Sequence, residues 1–220
     1  MKQTFIRLFG YFMILSSLPS ITFAQRISGN ALDSISPSNV PFIDKKGVLF
    51  PNSWGIETPT GVSDKLYKDL QCSQYFHVGN NEDLQPTLYM KINIPNSDYV
   101  IGAMYYGGAT DYRTDIVFIA DKSGNIKSSL EGTVQNSEIS IKQYKVTADY
   151  KIITSQMILT SQSPILYENF IGTNQRIEAY RLDTTYVIDG NGVFVKESET
   201  RLPTKTYTEK QLVENEIWDL

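Results

Sequence analysis

The feature that most constrains this chain is a repeated alternation of apolar and polar side chains with a period of two. In residues 87–94 the apolar positions are Leu88, Met90, Ile92 and Ile94, with Tyr89, Lys91 and Asn93 between them. Successive side chains of a β-strand point to opposite faces, so this pattern predicts a strand with one buried face. Further strands are predicted over residues 99–106, 115–120, 139–146, 150–159 and 177–188.

Three Asp-x-x-Gly sequences separate these segments, at residues 44–47, 121–124 and 189–192. In a short hairpin the Asp side chain accepts bonds from the next backbone amides, and Gly takes a left-handed conformation. A calcium loop needs several oxygen ligands at alternate positions and a bidentate Glu downstream. Only the third copy supplies two such ligands, Asp189 and Asn191, and no Glu follows at the required distance. We therefore interpret all three as turns and predict no metal site and no cofactor.

Together these segments predict a mainly β fold, an antiparallel sheet built from about eight to ten hairpin-connected strands. A sandwich, a partial barrel and a curved single sheet remain open, because local periodicity does not encode strand order. Ser63 is a candidate helix cap and predicts a short helix near residues 64–71. Thr208 and Gln211 have the spacing of a capping box, which predicts a C-terminal helix from Glu209 to about Trp218.

The first 24 residues have the three parts of a secretory signal peptide. Basic Lys2 and Arg7 precede an apolar stretch, and small residues end at Ala24. The apolar stretch is shorter than the roughly 20 residues of a membrane-spanning helix. The leader and the Gln that follows it resemble those of exported Gram-negative proteins. We expect cleavage near Ala24, no membrane span, and a location in the periplasm or outside the cell.

Beyond the leader, residues 25–40 are polar and lack periodicity, which predicts a flexible lead-in. Residues 41–220 are then expected to form a single β-rich domain. Without Lys2 and Arg7 the chain keeps 20 − 2 = 18 basic residues against 24 acidic ones, a formal net charge of 18 − 24 = −6. Nucleic acids and anionic membranes call for a basic surface, so the charge disfavours both partners.

Candidates for covalent chemistry are few. The one cysteine, Cys72, lies five residues before the one histidine, His77, and a thiol activated by an imidazole is a known nucleophile. No glycine-rich or oxyanion-binding pattern surrounds Cys72, so we interpret it as a structural cysteine. Carboxylate pairs such as Asp111 with Asp115 are interpreted as solvated groups at strand ends.

The stretch YYGGATDYRTD, residues 105–115, is the candidate binding site. It joins two predicted strands by about eight residues, more than the 2 to 5 usual in hairpins. A tyrosine ring can stack on a ligand while its hydroxyl bonds. The candidate ligand-binding residues are Tyr105, Tyr106, Asp111, Tyr112 and Arg113. In the alternative interpretation, Tyr105 and Tyr106 belong to a strand, the glycines form a bulge, and Arg113 pairs with an acidic neighbour on the surface.

With no clustered nucleophile, base and orienting residue, the sequence favours an exported, non-catalytic binding or interaction module. Its unknown ligand would be a glycan, a peptide or a protein surface. One alternative is a hydrolase that acts on a glycan or peptide through carboxylates, which a pocket holding two carboxyl groups of unequal pKa would favour. The other is an inhibitor or immunity protein against a secreted enzyme.

Overall fold

The computed structural model of the chain describes residues 26–27, 29–45, 87–107, 112–136, 139–160 and 176–220. The signal peptide, the helix predicted near residues 64–71, Cys72, His77 and Asp111 lie outside these ranges. The described residues form one antiparallel sheet of ten strands, so the mainly β prediction is confirmed. The strands are β1 (Phe42–Ile43), β2 (Thr87–Asn93), β3 (Tyr99–Gly107), β4 (Tyr112–Asp121), β5 (Ile126–Asn136), β6 (Ile139–Val146), β7 (Ile152–Leu159), β8 (Arg176–Ile188), β9 (Phe194–Arg201) and β10 (Lys205–Thr208).

Strands β2 to β8 are neighbours in the order in which they occur along the chain. β9 and β10 both pair with the edge of β8 that faces away from β7, β9 with residues 182–188 and β10 with residues 176–179. β5 and β6 pair only where residues 134–136 meet residues 139–142. Nearer the C-terminal end of β6, the strand that pairs with it is β1 in place of β5, with Phe42 opposite Val146. The sheet therefore divides between β5 and β6 into two halves, β2–β5 and β6–β10.

The two halves pack on each other through their facing sides. The shared core contains buried apolar residues of both halves: Met90, Ile92, Ile101, Ala103, Val117, Ile119, Leu130, Tyr144, Val146 and Ile152. The turn between β8 and β9 reaches back to the first half, where the Phe194 amide donates to Ser128 Oγ at 3.2 Å. Burial of this apolar surface is the main force that curves the sheet onto itself.

The outer face of β2–β4 is covered by the N-terminal residues, which include helix α1 (Gly29–Asp33). Ile27, Ala31 and Leu32 are buried against this face. The Ile27 amide donates to the Gly124 carbonyl at 2.9 Å, and Ser38 donates to the Lys91 carbonyl at 2.7 Å. Part of the segment predicted as a flexible lead-in, residues 25–40, therefore packs against the sheet. Its few apolar residues show no period, yet they complete a face that the sheet alone leaves open.

The C-terminal residues cover the outer face of β6–β8. The predicted capping box is present: Gln211 N donates to Thr208 Oγ1 at 3.3 Å, and Thr208 N donates to Gln211 Oε1 at 2.9 Å. Helix α2 (Glu209–Glu214) ends earlier than predicted, and a 3-10 turn follows at Ile217–Asp219. Beyond the helix, the Ile217 amide donates to Gln143 Oε1 of β6 at 2.7 Å. None of the helices within the described ranges is long and apolar enough to cross a membrane.

Two of the three Asp-x-x-Gly sequences are turns, as predicted. Asp121 Oδ1 accepts bonds from the amides of residues 123 and 125 at 2.9 and 3.0 Å, and Asp189 Oδ1 accepts from those of residues 191 and 193 at 2.9 and 2.8 Å. Gly124 and Gly192 have φ angles of 84° and 77°, the left-handed region that the turn requires. The remaining copy, residues 44–47, is described only at Asp44 and residue 45, and its glycine lies outside the described ranges.

Candidate functional site

The predicted loop is shorter than its sequence suggests. β3 extends to Gly107 and β4 begins at Tyr112, so four residues, 108–111, lie between them. The backbone pairing of β3 with β4 continues to the last residue of β3, with Tyr106 opposite Thr114 and Gly107 opposite Arg113. Of the candidate residues, Tyr105, Tyr106, Tyr112 and Arg113 are therefore strand residues, and Asp111 lies outside the described ranges. The part of the alternative interpretation that assigned Tyr105 and Tyr106 to a strand is confirmed.

Arg113 points into the protein. It is 9% exposed, and its guanidinium contacts two carboxylates. Nε donates to Asp115 Oδ1 at 2.8 Å, Nη2 donates to Asp44 Oδ1 at 2.8 Å, and Nη2 also donates to Asp115 Oδ2. The expectation that Arg113 pairs with an acidic neighbour on the surface is right about the partner and wrong about the place. Arg113 shares its side of β4 with Val117 and Ile119, and that side faces the shared core.

Both carboxylates are interior groups. Asp115 has no exposed surface and Asp44 is 3% exposed. Asp115 Oδ2 also accepts a bond from Tyr89 Oη at 2.7 Å, and Asp44 Oδ2 accepts one from Thr133 Oγ1 at 2.6 Å. The interpretation of Asp115 as a solvated surface group is wrong. For Asp44, the backbone amides that its predicted turn role involves lie outside the described ranges, and its described side-chain bonds go to Arg113 and Thr133. Both carboxylates are paired in the interior with Arg113, which lies on the same strand as Asp115 and on a different segment from Asp44.

Two tyrosines continue the network. The hydroxyls of Tyr89 and Tyr144 are 2.6 Å apart. Because Tyr89 gives its single proton to Asp115, the proton between the two hydroxyls comes from Tyr144. We call the six residues of this network the buried ionic cluster: Asp44, Tyr89, Arg113, Asp115, Thr133 and Tyr144.

Two β-bulges make room for the cluster. In β2, Leu88 faces Met104 and Met90 faces Ala103, so Tyr89 is the extra residue of a β-bulge. Because a bulge re-aims its side chains, the Tyr89 hydroxyl reaches the interior. The sequence predicts Leu88 and Met90 on one face, but they belong to different apolar clusters because the bulge lies between them.

The second bulge is in β5, where the register skips from residue 134 to residue 131 opposite Asp115. Gly132 and Thr133 therefore face one residue of β4, and the extra residue brings the Thr133 hydroxyl to Asp44. A Cβ on Gly132 would lie 2.8 Å from the Tyr144 ring and 2.8 Å from Val117. Only glycine allows this close approach of β5 to the ring.

The surroundings of Asp115 raise the pKa of its carboxyl group. Burial is the largest influence and raises the pKa of Asp115 to about 7, against the opposing effect of Arg113 and with a further raising effect from Asp44. Burial also raises the pKa of Tyr89 and of Tyr144 well above the ordinary value. Burial alone would lower the pKa of Arg113, but Asp115 and the other anionic neighbours raise it, so the guanidinium stays charged.

Besides Arg113, a second predicted site residue, Tyr105, contacts this network. Its half-buried ring lies 6.0 Å from the ring of Tyr89 in an edge-to-face arrangement. The guanidinium carbon of Arg113 lies 5.7 Å from the centre of the Tyr89 ring and 6.0 Å from that of Tyr105. Cation–π contacts of this kind are favourable when the cation is shielded from water. The structure thus brings Tyr105 and Arg113 together.

Five members of the cluster were not predicted as site residues: Asp44, Tyr89, Asp115, Thr133 and Tyr144. One signal was present in the sequence. Arg113 and Asp115 fall in the same alternating positions as Val117 and Ile119, which predicts a charged pair on a core-facing side. Asp44 lies 69 residues from Arg113, and no local pattern connects them.

Among the residues that the structure describes, no group of three or more His, Cys, Asp and Glu side chains could hold a metal ion. A scan against protein-family models finds no matching family, and searches of curated proteins and of solved structures find no match. Function is therefore inferred from the chemistry of the chain's own residues.

Proposed function

We propose that this protein is an exported, non-catalytic binding module that contacts a glycan, a peptide or a protein surface through the end of the β3–β4 hairpin. The observation that carries the proposal is the anchoring of the hairpin beside the candidate residues. Arg113 directly follows Asp111 and Tyr112, and its guanidinium bonds two buried carboxylates, those of Asp115 and Asp44.

An anchored hairpin suits binding for a physical reason. A loop that is ordered before it meets its ligand loses less conformational entropy on binding, and binding residues tend to lie on loops held by a rigid scaffold. Here the β3–β4 backbone pairs continue to Gly107 and Arg113, so the strands that flank residues 108–111 are paired. Tyr105 flanks them with a half-buried ring beside Tyr89.

The bonding of the two carboxylates supports a structural rather than a catalytic role. A general acid or base must reach the proton of a substrate. Asp115 accepts bonds from Arg113 and Tyr89, and Asp44 accepts bonds from Arg113 and Thr133. All of these donors belong to the protein, and both acids lie in the interior.

The test uses the mature protein, a glycan array and a pull-down from the medium in which the protein is found. We expect the double variant Asp111→Ala/Tyr112→Ala to weaken binding to any captured partner by at least about tenfold, equivalent to about 1.4 kcal/mol. The matched control is Lys196→Ala/Glu199→Ala, which removes an exposed ion pair of 2.9 Å on β9. Circular dichroism verifies that both variants fold. Equal affinity of the loop variant and the control would remove the hairpin end as the binding site.

Export is part of the same proposal. We propose cleavage after Ala24 and a periplasmic or extracellular location, which N-terminal sequencing of the protein from its native source tests directly. The expected first residue is Gln25. Uncleaved protein in the cytosol would contradict this part without affecting the binding test.

A second candidate function is a carboxylate-based hydrolase, and one observation favours it. Asp115 has a pKa raised to about 7 and shares Arg113 with a second carboxylate, Asp44. Perturbed carboxyl groups of this kind are common in active sites. Turnover of fluorogenic aryl glycosides or peptides by the mature protein, abolished by Asp115→Asn, would establish this candidate. Absence of turnover by the wild-type protein would remove it.

A further inference from the structure

The charges of the buried ionic cluster do not balance. Among the described residues it contains two carboxyl groups, Asp44 and Asp115, and one guanidinium, Arg113. With both acids ionised the cluster carries a net charge of −1 in the interior, where an uncompensated charge is costly. Binding of a single proton makes the cluster neutral without breaking the Arg113 contacts.

The surroundings of Asp115 indicate where that proton binds. Asp115 has no exposed surface, whereas Asp44 retains 3% of its own. The Asp115 carboxylate is also the one that contacts a chain of hydroxyl groups, through Tyr89 to Tyr144. A hydroxyl can either donate or accept, so it serves a protonated as well as an ionised carboxyl group.

We propose that the buried ionic cluster is a protonation switch, in which Asp115 takes up a proton when the surroundings become mildly acidic and thereby stabilises the junction between the two halves of the sheet. This inference is independent of the proposed binding role of the hairpin. The junction is the place where β5 and β6 separate, and the cluster joins β2, β4 and β5 of one half to β6 of the other.

The groups that face Asp115 come from every neighbouring segment. Arg113 on β4 and Tyr89 on β2 donate to its oxygens and favour the ionised form. Asp44, which follows β1, favours the protonated form by repulsion, as does burial. Tyr144 on β6 acts through Tyr89, Thr133 on β5 does not titrate, and Tyr105 on β3 lies opposite Asp115 in the sheet.

Protonation reverses a chain of hydrogen bonds. In the ionised state Tyr144 donates to Tyr89, and Tyr89 donates to Asp115 Oδ2. A proton bound at Oδ2 occupies the space between the carboxyl group and the Tyr89 oxygen, so Asp115 becomes the donor. Tyr89 then turns its own hydrogen toward Tyr144, and the Tyr144 hydroxyl rotates its hydrogen away from Tyr89. The heavy atoms keep their places, and the cluster gains one proton and loses its net charge.

The direction of the stability change follows from the pKa of Asp115, which is about 7 in the folded protein against an ordinary value of 3.8. Between these two values the folded state binds the proton and the unfolded state does not. The folded protein is therefore stabilised as the pH falls from about 7 toward 4, and this contribution is lost as the pH rises again.

Urea unfolding of the mature protein between about pH 8 and pH 5 tests the switch. For the wild-type protein, one proton taken up on folding increases the folding equilibrium constant by up to about tenfold for each pH unit of acidification. Asp115→Asn has the shape of the acid without its charge, and we expect it to lose most of this slope. The control Asp183→Asn should keep the slope, because Asp183 has a side chain 24% exposed and lies outside the cluster. An unchanged slope in Asp115→Asn would overturn the proposal.

A second measurement covers the case in which Asp115→Asn does not fold. Carboxyl ¹³C NMR of the wild-type protein should show the Asp115 carbon titrating near pH 7. In Tyr89→Phe the carboxylate loses a donor that favours ionisation, so its midpoint should move to higher pH. Tyr186→Phe, which changes a half-buried ring outside the cluster, should leave the midpoint unchanged. An Asp115 signal that titrates at the ordinary value of 3.8 would overturn the proposal.

Discussion

The chain contains two Arg-x-Asp sequences on strands, and the structure uses them differently. Arg113 and Asp115 lie on β4, and Arg181 and Asp183 lie on β8. In each case the guanidinium contacts the carboxylate two residues further along, on the same side of the strand. The local geometry is thus the same, and it follows from the period of two in a strand.

The difference lies in what surrounds the two pairs. The side chains of Arg113 and Asp115 are 11% and 0% exposed, whereas those of Arg181 and Asp183 are 16% and 24% exposed. Arg113 binds a second carboxylate, that of Asp44. Arg181 instead donates to the carbonyl oxygens of Ile217 and Trp218 at 3.0 Å each. Together with ionised Asp44, the pair Arg113–Asp115 therefore carries an excess negative charge inside the core, whereas the pair Arg181–Asp183 holds the C-terminal residues on the sheet.

The role of an Arg-x-Asp pair therefore depends on which distant segment contacts its arginine. Asp44 reaches Arg113 from 69 residues away, and the C-terminal carbonyls reach Arg181 from 36 and 37 residues away. A buried charge that loses its partner is destabilising, whereas a partly solvated charge can turn to water.

The largest difference is expected when each arginine is removed. Arg113→Ala leaves two buried carboxylates without their cation and should lower the free energy of unfolding by about 3–5 kcal/mol at pH 8. Arg181→Ala should cost about 1–3 kcal/mol, because solvent can reach Asp183. Urea unfolding measures both. The loss in Arg113→Ala should also shrink at pH 5, where Asp115 can bind a proton, and an equal cost for the two variants would contradict the comparison.

A smaller difference is expected for the hydroxyl that supports each carboxylate. Thr133→Val removes the donor to the buried Asp44 Oδ2 while keeping the shape of the side chain, and should cost about 1–3 kcal/mol. Ser155→Ala removes the 2.6 Å donor to Asp183 Oδ1 and should cost about 0.5–1.5 kcal/mol. Thermal or urea unfolding at pH 8 measures the loss of stability in each variant, and the loss should be larger for Thr133→Val. A larger cost for Ser155→Ala would show that exposure does not separate the two pairs.

The smallest effect is the response of each pair to salt. A double-mutant cycle on Arg181 and Asp183 should give a coupling of about 0.2–1 kcal/mol that decreases in 1 M NaCl, where the Debye length is about 3 Å. The same cycle on Arg113 and Asp115 should give a coupling that salt leaves unchanged, since ions do not reach the interior. Parallel salt dependence of the two couplings would indicate that water enters the buried ionic cluster.

Much of the local structure could be predicted. The alternation over residues 139–146 matches β6 without a change of bounds, and β2, β3, β7 and β8 match within two residues. The turns at Asp121 and Asp189 and the capping box at Thr208 have the hydrogen bonds that their sequences predict. These features could be read because each depends on residues only a few positions apart.

The candidate site could be predicted only in part. Tyr105 and Arg113 do lie together at the end of a hairpin, but the burial of Arg113 depends on Asp44 and on bulges at Tyr89 and Gly132. A bulge changes the face of every following side chain, so alternation alone misplaces Leu88 relative to Met90. β10 was not predicted, because a strand of four residues is too short to establish a period.

Alternation, turn chemistry and capping are properties of neighbouring residues, and from them the sequence determined a β fold, most of its strands, two of its turns and the cap of its C-terminal helix. Tertiary structure alone decided which charges are interior. The buried ionic cluster draws its residues from positions 44 to 144, and its physical character comes from desolvation and from the unequal number of acids and bases that the curved sheet encloses.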